Sequence, residues 1–294
     1  MHTEKFDAFF QDKAQTYLLN AINLALEEDG PDLTSEGIFP PGHRLSAKII
    51  SKEDTLVVGL PLIPRIMDAC SSTEWTWKAH VDEGAAVANR TLVATIEADA
   101  THLLKAERII LNFITHLSGI ANLTKQYVGQ LEGSGTKLLD TRKTLPCLRY
   151  PEKYAVLIGG GLNHRKDLTE ILMLKDNHID LAGSMTAAVN TLRATYTPCP
   201  PIEVECRTQE DVHEAVACHA DRIMLDNMDI PAIQEALKHI PDSIETEVSG
   251  GVTLETIRSL ALASESGPDY ISVGRLTHSA PVADFSMLVN ESGE

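Results

Sequence analysis

Seven short apolar runs end in residue types that handle anionic substrates. "KLLD" (137–140) is followed by Thr141, Arg142 and Lys143, "YAVLIGGG" (154–161) by Asn163, His164 and Arg165, and "ILMLKDN" (171–177) contains Lys175 and Asp176. "PIEVEC" (201–206) carries Glu203 and Glu205, and "RIMLDN" (222–227) ends in Asp226 and Asn227. "TEVSGG" (246–251) closes on Ser249, Gly250 and Gly251, and "YISVGR" (270–275) on Gly274 and Arg275. Arginine grips a carboxylate or phosphate through two parallel N–H donors, whereas lysine supplies a point charge. Arg142, Arg165, Lys143 and Lys175 therefore suit a polyanionic ligand, and the position of His164 between Asn163 and Arg165 favours a place in the same site. Glu205 and Asp226 have the opposite sign. Carboxylates facing a phosphate site either take ribose hydroxyls or hold Mg²⁺ jointly with a diphosphate. Glu203 shares the period-2 orientation of Glu205, so it joins that rim or is buried and paired. Ser249–Gly251, followed by the helix-like "TLETIRSL", places bare backbone N–H groups at a helix N-terminus, and Gly274 permits a close approach; together they predict a phosphate cradle.

These groups must be positioned by a regular scaffold. The apolar runs recur every 20 to 30 residues, and "MTAAVNTLRATY", "TQEDVHEAVACHA", "IPAIQEALKHI" and "TLETIRSLALASE" between the later ones are amphipathic at helical spacing. Strand, helix, strand at this interval predicts parallel βαβ units, and about seven strands favour an incomplete TIM-type barrel over an open doubly wound sheet. In a barrel the strand ends form one rim, which is where the polar clusters fall. Ahead of this region lies a smaller α+β domain. A helix is expected over 6–28, strands at "LSAKIIS", "TLVVG" and "LVATIEA", and a turn at "VDEG". A second helix, over 101–117, presents Leu103, Ala106, Ile110, Ile114 and Leu117 on one face and leaves Arg108 pointing outward.

The bulk composition narrows the partners. The chain has 294 residues and a net charge of −17, yet five Lys/Arg stand against one acid, Glu152, between Arg142 and Arg165. The acidic balance argues against nucleic acid or an anionic membrane as partner. Five cysteines without a CxxC suggest reduced thiols. No run approaches the ~20 apolar residues of a membrane helix, and "MHTEKFDAFFQDKAQ" is charged throughout, unlike a signal peptide. A cytoplasmic protein is expected. The triple glycine at 159–161 is no dinucleotide fingerprint, since no GxGxxG follows. Cys147 is read as a small loop residue rather than a nucleophile, and Trp75 and Trp77 as packing residues of the small domain.

"LLDTRKTLPCLRYPEKYAVLIGGGLNHR" (138–165), "LKDNHI" (174–179), "IEVEC", "LDN" and "VSGGV", with "AERIILNFITHLSGIA" (106–121) and "EDGPDLTS" (28–35), resemble the quinolinate phosphoribosyltransferase family, the carboxylating nicotinate-nucleotide pyrophosphorylases. The likeness spans nearly the whole chain. It implies a type II phosphoribosyltransferase: an α+β sandwich domain over 1–112, joined by the C-terminal segment 278–294, and an incomplete α/β barrel over 113–277. It implies conversion of quinolinate and 5-phosphoribosyl 1-diphosphate (PRPP) to nicotinate mononucleotide, diphosphate and CO₂ in NAD biosynthesis, with Mg²⁺ and no organic cofactor. Arg142, His164 and Arg165 would hold quinolinate carboxylates, and Lys143 and Lys175 would contact substrate carboxylate and PRPP. Glu205 and Asp226 would bind ribose hydroxyls and Mg²⁺, while Ser249, Gly250, Gly251 and Gly274 would cradle the 5-phosphate. Lys143, Lys175, Glu205 and Asp226 would carry the catalysis. Homodimers, or assemblies of dimers, are implied, with Arg108 completing the neighbouring site. The family commonly has Thr and Gly where this chain has Leu145 and Cys147, which bears on loop packing.

Two other enzymes fit parts of the pattern. A related barrel phosphoribosyltransferase would act on nicotinate or another aromatic acid, but the set Arg108, Arg142, His164 and Arg165 favours a dicarboxylate. An aldolase would use Lys175 as a Schiff base, against which stand the phosphate-suited cations around it. A non-catalytic binding module fits least, because the rim combines anion, metal and ribose ligands.

Overall fold

The computed structural model describes residues 4–291. Residues 1–3 and 292–294, assigned from sequence to the first domain, lie outside the described residues. In chain order the elements are α1 (Glu4–Phe9), α2 (Asp12–Asp29), α3 (Leu33–Ile38), β1 (Arg44–Ser51), β2 (Thr55–Leu56), α4 (Leu62–Cys70), β3 (Thr76–Ala79), β4 (Ala86–Val87), β5 (Leu92–Asp99) and α5 (Ala100–Gln130). There follow β6 (Lys137–Leu139), α6 (Arg149–Ile158), β7 (Leu172–Leu174), α7 (Asp176–Ala182), α8 (Met185–Thr195), β8 (Ile202–Cys206) and α9 (Gln209–Ala217). The chain closes with β9 (Arg222–Asp226), α10 (Ile230–His239), β10 (Glu245–Ser249), α11 (Ile257–Ala261), β11 (Tyr270–Ser272), α12 (Arg275–His278) and β12 (Phe285–Glu291).

Two compact units result. The first holds the residues up to Thr124, Thr144–Gly160 and those from Thr277 onward; the second holds Lys125–Lys143 and Gly161–Leu276. Compared with a division at 112/113, the boundary falls within α5, and Thr144–Gly160 belongs to the first unit.

In the first unit an antiparallel sheet has the order β12-β1-β5-β3. The alternation of "RLSAKIIS" buries Leu45, Ala47 and Ile49 on one face of β1, as expected where one side of a sheet meets the core. The helix expected over 6–28 is two helices, because Asp12 takes φ 45° at the break. α5 buries Leu103, Ala106, Ile110, Ile114 and Leu117, the stripe read from the sequence.

"YAVLIG" is a correction. It forms the C-terminal part of helix α6, not a strand. Tyr150 to Val156 are all buried, and a helix enclosed on every side reads as an unbroken apolar run that periodicity cannot separate from a buried strand. Phe6, Phe9 and Phe10 pack on Tyr154 with ring centroids 5.2, 5.7 and 5.4 Å away.

The second unit is the incomplete α/β barrel. Six parallel strands run in the order β6-β11-β10-β9-β8-β7, with β6 and β7 at opposite edges. Where the seventh strand was expected, Leu162 makes a single parallel bridge to Leu139. Its N–H donates to Leu138 O at 2.8 Å, and Asp140 N–H donates to Leu162 O at 3.1 Å.

Candidate active site

The strand ends of the second unit open on a cavity of about 550 Å³. Arg142, Lys143, His164, Arg165, Lys175, Glu205, Asp226, Ser249, Gly250 and Gly251 line it, as do Thr141, Met173, Met224, Asn227, Glu247 and Ser272, which sequence reasoning did not assign to a ligand. Gly274 follows β11 at the same end of the sheet but is not among the lining residues. Arg108 belongs to the first unit, exposed on α5, where it makes no hydrogen bond or ion pair among the described residues.

Asp140 organises the cationic side. Fully buried beyond β6, it accepts the His164 N–H at 2.8 Å and the Asn163 side-chain amide at 2.8 Å. That fixes the segment leading to Arg165, whose Nη1 donates to Ile171 O at 2.8 Å. Burial and then the charge of nearby Arg142 weaken the Arg165 guanidinium's hold on its proton. Arg142 in turn has a buried Nε with no hydrogen-bond partner. Two guanidiniums that repel each other, one with an orphaned buried donor, form a receptor for an anion. Lys143 is exposed beside them, its N–H donating to Thr141 Oγ1 at 3.0 Å.

His164 differs from expectation. Both ring nitrogens face the protein: Nδ1 accepts the Arg165 N–H at 2.7 Å, and Nε2 lies at ion-pair distance, 3.1 Å from Glu203 and 3.4 Å from Glu247, without the alignment of a hydrogen bond. Burial lowers the proton affinity of the ring, but the two glutamates beside it outweigh this and raise the pKa to about 9. Glu203 and Glu247 are fully buried. Burial, followed by the neighbouring charge of Glu247, holds Glu203 above its ordinary value. Arg222 Nη1, 3.6 Å from Glu247, adds a further cation. One histidine and two glutamates this close could ligate a metal. The Arg165 N–H at Nδ1 argues otherwise, since it leaves the ring hydrogen on Nε2, the atom facing the carboxylates. Glu203 is thus the buried, paired member, and His164 reaches a ligand only through the segment it braces. Glu247 was legible as an inward residue two before Ser249.

The acidic side lies in the middle of the sheet. Glu205 and Asp226 end the neighbouring strands β8 and β9 with side chains 9% and 14% exposed. Burial, followed by the charge of Glu205, pushes Asp226 above the usual carboxylate range. Glu205 stays below that range despite its burial, chiefly through Lys175. Lys175 Nζ donates to Glu205 Oε2 at 2.8 Å, so this half-exposed lysine is ion-paired rather than enclosed by the apolar walls a Schiff-base lysine needs. Two crowded carboxylates offering only oxygen donors fit a hard divalent cation such as Mg²⁺. Sequence reasoning missed Arg207, which reaches Asp176, Glu205 and Asp226; its place just after β8 was the available signal.

The glycine loop corrects another expectation. α11 begins only at Ile257 and spans five residues, so no helix N-terminus abuts Ser249–Gly251. The loop itself is the concave element: Gly250 and Gly251 have φ of 96° and 61°, and successive amides in such a turn form an anion-binding hollow. Asn227 N–H donates to Ser249 O at 2.9 Å, which packs the β9 loop against it. A Cβ on Gly250 would collide with the Asn227 side chain.

The loop preceding α6 shows what a cysteine costs at position 147. Cys147 takes φ 65°, where glycine is at ease and any other residue costs about 1–2 kcal/mol. Glu152 steadies this loop by accepting the Leu145 N–H at 3.2 Å while lying 2.8 Å from His116 Nε2.

Cations at the sheet edges, carboxylates between them and a glycine hollow are what a barrel phosphoribosyltransferase needs to hold a phosphorylated sugar and an anionic acceptor together. Residues 32–118 match the N-terminal domain, and 120–288 the C-terminal domain, described for quinolinate phosphoribosyl transferase. The chain belongs to the quinolinate phosphoribosyl transferase family. It is 40% identical over 270 residues to a probable carboxylating nicotinate-nucleotide pyrophosphorylase of Bacillus subtilis, covering 92% of each chain. A protein of the same description from Synechocystis is 40% identical over 250 residues, 84% of this chain and 83% of that one. The crystal structure of NadC from Streptococcus pyogenes superposes with a TM-score of 0.87 at 36% identity, covering 95% of this chain and 99% of that one. No helix among the described residues is long and apolar enough to cross a membrane.

Proposed function

We propose that the chain is a quinolinate phosphoribosyltransferase that forms nicotinate mononucleotide, diphosphate and CO₂ from quinolinate and PRPP, within the cytoplasm, for NAD biosynthesis. The observation that carries the choice of acceptor is the Arg142–Arg165 pair: mutual repulsion and an orphaned buried Nε ask for a ligand with paired carboxylates. Arg142 and Arg165 grip that dicarboxylate, Lys143 stands beside it, and His164 braces Arg165 rather than touching the ligand. The Ser249–Gly251 hollow, with Gly274, receives the 5-phosphate. Glu205 and Asp226 bind ribose hydroxyls and Mg²⁺, which when bound draws charge from the departing diphosphate. Arg108 completes the site of a second copy in a homodimer.

The ring nitrogen attacks C1 of the ribose as the C1–O bond breaks, and that electron pair leaves with the diphosphate. Lys175, on the rim, neutralises the growing negative charge. The pyridinium so formed then loses CO₂ from the adjacent carbon. The electron pair stays on that carbon, stabilised by the cationic nitrogen, until water supplies a proton. The chain contributes position and electrostatics, with no covalent bond to substrate.

Removing one guanidinium leaves a ligand carboxylate buried and unpaired, a loss of about 2–5 kcal/mol, or roughly 30- to several-thousand-fold in affinity. Arg165→Met should therefore lose quinolinate binding in calorimetry while keeping PRPP binding within a few-fold. Normal quinolinate affinity in that variant would refute the clamp. Nicotinate tested in parallel should bind far more weakly to the wild type, having a single carboxylate.

A further inference from the structure

Arg207 is the first residue after β8. Its N–H donates to Asp211 Oδ2 at 3.0 Å, within the cap of α9, so its backbone is anchored. From there the guanidinium spans three strand ends. Nη1 lies 2.8 Å from Asp176 Oδ2, Nη2 3.4 Å from Glu205 Oε1 and Nε 3.7 Å from Asp226 Oδ2. Each nitrogen of the fork faces a different acid. Lys175 takes the other oxygen of Glu205 at 2.8 Å. The Glu205–Asp226 pair is therefore already bracketed by two of the chain's own cations.

A divalent ion needs those oxygens at about 2.0–2.1 Å. It would meet both steric competition for the lone pairs and repulsion from a guanidinium lying across them. The same planar fork matches the geometry of phosphate oxygens. Its side chain is 52% exposed, so swinging away costs no buried packing.

We propose that Arg207 is the resident counter-ion of the Glu205–Asp226 pair, competing with a divalent cation that arrives alone and exchanging the carboxylates for diphosphate oxygens when cation and diphosphate arrive together. This rests on the reading of Glu205 and Asp226 as the metal holders. Arg207 is then a positioning residue that couples metal binding to the sugar diphosphate, so the metal is held more tightly in the company of its substrate.

The test reads binding, not turnover. Free Mn²⁺ is followed by electron paramagnetic resonance with wild type, Arg207→Ala and Glu205→Gln, with and without inorganic diphosphate. Glu205→Gln should lose Mn²⁺. Arg207→Ala should bind Mn²⁺ alone on the order of five-fold more tightly, the low end of ordinary coupling between sites, and the Mn²⁺–diphosphate pair more weakly than wild type. If Glu205→Gln loses Mn²⁺ but Arg207→Ala binds it unchanged or less well, the counter-ion role is overturned and the metal reading stands. Tighter Mn²⁺ binding by Arg207→Ala in both conditions would overturn the exchange onto diphosphate. Wild-type affinity in Glu205→Gln would overturn the metal reading and this inference with it.

Discussion

His164 makes the stability of the barrel unit depend on pH in a calculable way. Its pKa is raised to about 9 from an ordinary value near 6.5. Each pH unit of that difference corresponds to about 1.4 kcal/mol, so the protonated ring contributes about 3 kcal/mol. Because the folded value is raised, this contribution is complete below pH 6.5 and is lost as pH climbs through 9. Glu203, held up by burial and by Glu247, acts in the same sense. One contact opposes the second proton, namely the Arg165 N–H aimed at Nδ1 from 2.7 Å. His164→Gln keeps a donor for the glutamates and removes the titration. The imidazole signals of ¹³C-labelled protein should show one ring, missing in the variant, titrating near pH 9. Urea midpoints followed by far-UV circular dichroism at pH 6.5 and 9.5 give the energetic side. With an m-value of about 3 kcal/mol/M, the wild type should lose about 1 M more than His164→Gln over that interval. Trp75 and Trp77 both lie in the first unit, so tryptophan fluorescence would miss the event. A His164 ring titrating at or below 6.5, or equal midpoint losses, would show that the Arg165 N–H prevails and the ring stays neutral.

Gly250→Ala forces a Cβ to within 2.9 Å of the Asn227 backbone nitrogen at φ 96°. The displaced hollow should cost on the order of 100-fold in kcat/KM for PRPP, with unchanged far-UV circular dichroism; wild-type kinetics would deny that the loop holds the phosphate. Subunit exchange between Arg108→Ala and Lys175→Ala chains, each inactive alone, should restore roughly a quarter of wild-type activity for independent sites in a dimer. No recovery after proven exchange would confine Arg108 to its own chain.

The barrel and most of its rim were legible because parallel strands alternate with amphipathic helices, and because each strand ends where its polar residues begin. α6 was not legible as a helix: its charged residues Arg149, Glu152 and Lys153 all fall in the first half, and the apolar run "YAVLI" that follows has no period of its own. His164 and Arg165 still line the cavity, though Asn163 does not, since Leu162 supplies the sheet contact a strand would have made. The role of His164, and Glu247 altogether, escaped for a different reason. Residue type says that a histidine can face a carboxylate, but not whether that carboxylate belongs to the ligand or to the protein, and here Glu203 and Glu247 occupy its ring. Arg207 escaped because a single arginine after a strand usually reads as surface charge; only the spacing of β7, β8 and β9 reveals three acids within its reach.

The two sheets share a feature of sequence order. β1 pairs with β12, Leu45 against Glu291, and β6 pairs with β11, Lys137 against Tyr270. In each unit an early strand waits for a late one, and pairings this distant in sequence form slowly. On the ribosome, β6 has only the single bridge at Leu162 until β11 has emerged, and β1 lacks one neighbour until β12 is made. Arg142 and Lys143, carried at the tip of β6, thus have both sides of their strand paired only after β11 has been made. A nascent chain displays its carboxylate half, on β8 and β9, before its anion clamp is seated. High affinity for an acidic substrate at Arg142 and Lys143 should for that reason wait on β11, the strand that seats β6 in the sheet.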